Sequence, residues 1–125
     1  FKAWERTDFK YGMAFYGTLR ILIKEENWDI RAFHVLCEHK KMMIMRLEYM
    51  KERYGYENRN VFMAYQYMLK EALKVRNYIL KHIIKEQLYL KFKLATILDK
   101  IEKCERNTLV ELITDLKNAF STYYK

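Results

Sequence analysis

Proline does not occur in this chain, and glycine occurs three times in 125 residues, against average usage of about 5% and 7%. With so few breakers the sequence reads as long helices joined by few turns, and the Gly/Pro-rich classes are excluded. Long apolar runs are missing as well. Apolar clusters are short, Met42, Met43, Ile44 and Met45 among them, far from the roughly 18 residues that cross a bilayer. Nothing near the start resembles a secretory signal, so a cytoplasmic or nuclear setting is expected, with secretion of a processed form as the alternative. The first residue is Phe1 rather than Met, which points to processing or to a piece of a longer protein. Cysteine is scarce, and Cys37 and Cys104 lack the paired spacing of a zinc site. Two buried free thiols are expected, a single bridge in a secreted helical factor being the alternative.

What is present is apolar and basic. The chain is 51% hydrophobic and 16% aromatic, which excludes disorder, and a chain of this length hides roughly two-thirds of its extended-state surface. One domain over residues 1–125 is expected. The net charge of +8 suits a negatively charged partner, whether nucleic acid, an anionic membrane or an acidic protein, without choosing among them.

Helical spacing marks four segments. The first runs from Phe9 to Lys24, with Asp8 as its cap and Phe9, Met13, Tyr16, Leu19 and Ile23 on one stripe. Gly12 and Gly17 weaken it, by up to about 1 kcal/mol each, and close helix approach is the expected gain. The second runs from a cap at Asp29 to about Arg53, with Phe33, Cys37, Ile44 and Leu47 on one side and Val35, Met42, Met45 and Tyr49 on the other. A helix apolar on two sides is either buried twice or offers an adhesive face. Residues 55–60, GYENRN, form the clearest loop: Gly55 can end a helix, and Asn58 or Asn60 can cap the next.

From Val61 to Glu105 no breaker occurs. Steps of four and three give Leu69, Leu73, Arg76, Leu80, Ile83, Gln87, Leu90, Leu94, Ile97, Ile101 and Cys104, of which nine are apolar or cysteine. That is bundle or coiled-coil spacing. A single helix of this length would span roughly 65 Å at about 1.5 Å per residue, so it either bends near Lys85 to Tyr89 or projects and pairs with a second copy. A last helix is expected from Asn107 or Thr108, where TLVE fits a capping box, burying Leu109, Leu112, Ile113, Leu116, Phe120 and Tyr123. The fold class is therefore all-α, a bundle of four to five helices with one long, bent or projecting central helix.

The stretch KVRNYILKH, residues 74–82, carries the sharpest chemical pattern. Arg76, the polar Asn77 and His82 resemble the motif of the HEPN ribonuclease superfamily. That resemblance implies an all-α dimer cutting RNA without metal at a composite site, with His82 moving a proton and Arg76 steadying the phosphate. Six residues set the two about 120° apart around a regular helix, so the pairing needs a kinked helix end. The competing reading makes Arg76 a polar group in the helix seam, with Gln87 on the same seam. A buried guanidinium there requires a carboxylate or carbonyl partner, and such groups fix register and partner choice.

On the other side of that segment Lys70, Lys74, Lys81 and Lys85 lie within about 60° of one another, with no acid between them. This stripe could follow a phosphate backbone, or it is a solvated face. His39, Lys40, Lys41 and Arg46 surround Met42, Met43 and Met45, a composition suited to an adaptable protein-binding groove or to core filling. No glycine-rich loop, zinc-protease motif or metal-ligand spacing is present, so no cofactor, metal or small-molecule substrate is expected. The favoured reading is a non-enzymatic protein-interaction or oligomerisation domain working through Arg76, Gln87, Met42, Met43 and Met45, with a protein partner or a homodimer. The alternative is nucleic-acid binding through the lysine stripe; a HEPN-like nuclease and a secreted cytokine-like factor stand behind both.

Overall fold

A computed structural model of the chain describes the backbone of residues 2–25, 27, 29–82 and 88–123, and the side chains of 13–25, 27, 29–81 and 91–119. Four helices account for nearly all of it: α1 Lys2–Lys24, α2 Ile30–Tyr54, α3 Arg59–His82 and α4 Leu88–Tyr123. The described residues contain no strand.

The ends of α2 are set by local chemistry that the sequence announces. Asp29 accepts the Arg31 backbone N–H at 3.1 Å, supplying one of the orphan donors of the first turn. Gly55 closes the helix at φ 70°, its N–H bonding the Lys51 carbonyl at 3.1 Å while the Tyr56 N–H reaches Met50 at 3.2 Å. That left-handed turn is where glycine's lack of a Cβ is needed. Asn58 then caps α3, its Oδ1 accepting from the Val61 N–H at 3.2 Å. Arg59 and Asn60 already belong to α3, so the loop is shorter than GYENRN.

Two expected boundaries are replaced. Asp8 lies inside α1, which begins at Lys2, because nothing in the preceding residues breaks a helix. Thr108 does not start a helix either: its hydroxyl donates to the Cys104 carbonyl at 2.6 Å, inside a continuous α4 of 36 residues. A capping box requires a non-helical backbone at its first residue, and the buried stripe Ile101, Glu105, Thr108, Leu112 carries α4 straight through it.

The helices pack in the order α2 on α3, α3 on α4 and α4 on α1. Contacts fix the directions. Asn58 meets Asp115, Tyr65 meets Glu105 and Lys93 meets Tyr78, so α3 and α4 are antiparallel. Tyr16 meets Glu105 and Arg20 meets Asp99, so α1 and α4 are too. The result is up-down-up-down topology. The stretch from Val61 to Glu105 is thus divided between two antiparallel helices, and the longest helix is the last one. Most of the proposed bend, at Lys85 to Gln87, lies outside the described residues.

The core of α3 is Val61, Tyr65, Met68, Ala72, Val75 and Ile79, each at most 1% exposed. This is one residue away from the expected seam of Leu69, Leu73, Arg76 and Leu80. Both registers satisfy four-three spacing, but the observed one puts the small Ala72 and Val75 where helices approach and turns the leucines to the flank. Leu69 and Leu73 are half-buried and Leu80 is 55% exposed. On α4 the expected Leu94, Ile97 and Ile101 are buried, and Leu112 with them. Gly17 is not a site of close approach, since a Cβ there would meet nothing within 4 Å. No helix among the described residues is long and apolar enough to cross a membrane.

Candidate functional site

The first unusual feature is a charge at the centre of the bundle. Positions 33, 36, 37, 40, 44 and 47 form the inner stripe of α2, and the fourth of them is Lys40, 1% exposed. Its ammonium donates to Glu105 Oε1 of α4 at 2.5 Å. The Tyr16 hydroxyl of α1 donates to the same oxygen at 2.6 Å, and the Tyr65 hydroxyl of α3 to Oε2 at 3.2 Å. Each of the four helices therefore supplies at least one side chain to a single node. The Lys40 ammonium also lies 5.3 Å and 6.0 Å from the Tyr16 and Tyr65 ring centroids, within range of cation–π attraction.

Burial alone would raise the Glu105 carboxyl, but the Lys40 charge and hydrogen bond, with the Tyr16 hydroxyl, outweigh it and hold the group below the usual carboxylate range. Burial and the neighbouring carboxylate push both phenols up, so Tyr16 and Tyr65 stay protonated donors. His39 Nδ1 stands 3.0 Å from the Lys40 ammonium. An ammonium can only donate, so Nδ1 accepts and the ring is neutral. Burial and the Lys40 charge, partly offset by Glu105, depress the His39 pKa accordingly. Apart from the half-exposed His39, the node is sealed from solvent. It satisfies its own charges, and no substrate reaches its polar atoms.

The outer surfaces carry the other candidates. On α2, Val35, Met42, Met45 and Tyr49 are 47–67% exposed, and Tyr49 makes an edge contact with Tyr54 at 6.3 Å. Met43 instead turns inward and packs against the core, its Sδ 3.9 Å from Arg46 Nη1. On α3, Lys70, Lys74 and Lys81 are exposed on the side away from the core, with Lys74 paired to Glu71 at 3.1 Å. Lys85 and Gln87 lie outside the described residues.

Arg76 is half-buried at the edge of the α3 seam, on the side facing Cys37 of α2. Its Nε is buried without a hydrogen-bond partner, and no carboxylate pairs with it, among the described residues. The expected partner is thus missing there. α3 runs unbroken from Arg59 to His82, which keeps positions 76 and 82 about 120° apart; the His82 side chain is outside the described residues. Cys37 is buried, Cys104 half-buried, and both are free thiols. Among the described residues no three His, Cys, Asp or Glu side chains converge as metal ligands.

No protein-family model, curated protein or solved structure matches this chain. Sequence reasoning missed the node, although its signal was present: Lys40 fills a gap in an otherwise apolar stripe, and Glu105 follows Cys104 on α4 at a buried spacing from Ile101.

Proposed function

We propose that the chain is a protein-interaction module whose contact surface is the outer face of α2. The supporting observation is the row Val35, Met42, Met45 and Tyr49, standing in water on a helix whose other side is fully used by the core. Adaptable methionines and an amphipathic tyrosine are enriched where partners dock. Arg46 and Arg53, both exposed, stand beside the row, and the one acid within it, Glu38, is already engaged by Lys41 at 3.2 Å, so the fitting partner is an amphipathic helix with carboxylates beside its apolar side chains. A synthetic acidic amphipathic helix should bind the chain, and its lysine-edged counterpart should not. Met45→Glu should abolish that binding while leaving the melting temperature unchanged. Failure of the acidic peptide to bind, or a dimer in light scattering that Met45→Glu breaks, would overturn the reading.

A second reading assigns nucleic-acid binding to the outer face of α3. It is favoured by the placement of Lys70, Lys74 and Lys81 opposite the buried seam, where a phosphate backbone has unobstructed access. Salt-sensitive affinity lost in a Lys70→Glu/Lys81→Glu variant is the expected outcome, and salt-independent binding would exclude it.

A further inference from the structure

The two antiparallel helices α3 and α4 leave an open-sided cleft of about 440 Å³, within the range of small-molecule sites. Lys74 and Tyr78 line it from α3, one turn apart; Phe92, Lys93, Ile97 and Lys100 line it from α4. Phe92 is 76% exposed, more than any other large apolar side chain among the described residues. A phenyl ring so exposed adds almost nothing to the bundle. Beside it stand three lysines, opposed by the carboxylate of Glu71, which Lys74 already engages at 3.1 Å.

We propose that this cleft holds one nucleotide of a single-stranded nucleic acid, its base laid on Phe92 and its phosphate on Lys93, Lys100 and Lys74. A flat apolar ring within a cationic groove is the combination by which proteins hold unpaired strands, the ring stacking on any base and the cations following the backbone. Duplex bases are already stacked, so the ring selects the single strand. The cleft's floor is apolar at Ile97, which is 9% exposed. Lys93 is held in place by donating to the Tyr78 hydroxyl at 2.7 Å while lying 4.1 Å from that ring's centroid. The convergence of positive charge is felt by Tyr78 itself: the Lys93 hydrogen bond and charge, with Lys74 and Lys81 behind them, lower its pKa. On α3 itself, Tyr78 lies one turn from Lys74 and beside the lysine face. Folding adds Phe92 from α4, 14 positions further along the chain. This site is independent of the α2 contact surface and shares only Lys74 with the outer lysine face of α3.

Fluorescence anisotropy with labelled 15-nucleotide oligouridylate and oligothymidylate, over a series of salt concentrations, tests the assignment. The wild type should bind both strands. Phe92→Ala should weaken binding about tenfold, in line with the loss of one stacked base, and Lys100→Ala should flatten the log–log salt slope by about 0.7. Both side chains are exposed, so melting temperatures should not move, and circular dichroism checks this. Absence of salt-sensitive binding, or unchanged affinity in Phe92→Ala, would overturn the proposal. So would loss of binding in Lys70→Glu/Lys81→Glu with Phe92→Ala unaffected, which moves the site to the outer face. Equal affinity for a duplex, or for uridine monophosphate alone, would also refute a single-stranded occupant.

Discussion

Lys40 and Glu105, 65 residues apart in the chain, form an ion pair at 2.5 Å with side chains 1% and 3% exposed. Taking such a pair out of water costs several kcal/mol per ion, and Coulomb attraction with hydrogen bonds has to return it. Removing one partner strands the other. Lys40→Met alone or Glu105→Leu alone should therefore destabilise by about 3–5 kcal/mol. The double substitution should recover most of the loss, because an apolar pair of similar volume is often neutral or better. Chemical denaturation of the four proteins gives the cycle, and additive single effects would show that the pair is not coupled.

The same node sets two limbs of the pH dependence. The folded-state pKa of Glu105 lies below its ordinary value, so its contribution is present above about pH 4.3 and lost as pH falls through the folded value. His39 is likewise depressed. Between its folded pKa and about 6.5 the unfolded chain binds a proton the folded one refuses, so stability declines as pH drops below about 6.5. Denaturation midpoints should fall from pH 7.5 to 5.5 in the wild type and stay flatter in His39→Gln. Parallel profiles for the two proteins would remove His39 from the account.

Arg76 presents the opposite situation, a buried N–H with no acceptor among the described residues. Leaving such a donor unpaired costs about 1–3 kcal/mol, while the aliphatic stem contributes packing. Arg76→Met keeps the stem and discards the donor. It should leave stability unchanged or raise it by about 1 kcal/mol; a loss above about 1 kcal/mol would show that Arg76 has a partner that matters.

How far these residues were visible in advance depends on what each contacts. Asp29, Asn58 and Gly55 act on backbone groups within three or four positions of themselves, and all three were legible as helix ends. The outward face of α2 was legible too, because periodicity alone separates Val35, Met42, Met45 and Tyr49 from Phe33, Cys37 and Leu47. The seam of α3 was not. Its apolar arc is wide enough to admit two registers one residue apart, and only the neighbouring helices decide between Leu73 and Ala72 as the buried member. Thr108 misled because a capping box is a local pattern, whereas the continuation of α4 depends on Glu105 and Leu112 finding partners across the bundle. The cleft residues Tyr78 and Phe92 meet only once α3 and α4 have turned back on each other.

Glu105 receives its hydrogen bonds from α1, α2 and α3 at once, which bears on how the chain assembles. A three-helix subset lacking α2 would hold a carboxylate with no cation. One lacking α4 would hold an ammonium with no anion, and one lacking α1 or α3 would leave the carboxylate short of a hydroxyl and open to water. An arrangement that buries one of these ions without its partner thus carries a penalty that disappears when the missing helix arrives. Local helix propensity, so abundant in this proline-free chain, would by itself permit gradual and piecemeal association. The shared carboxylate ties the docking of the four helices together, and a single sharp unfolding transition in chemical denaturation is the expected outcome.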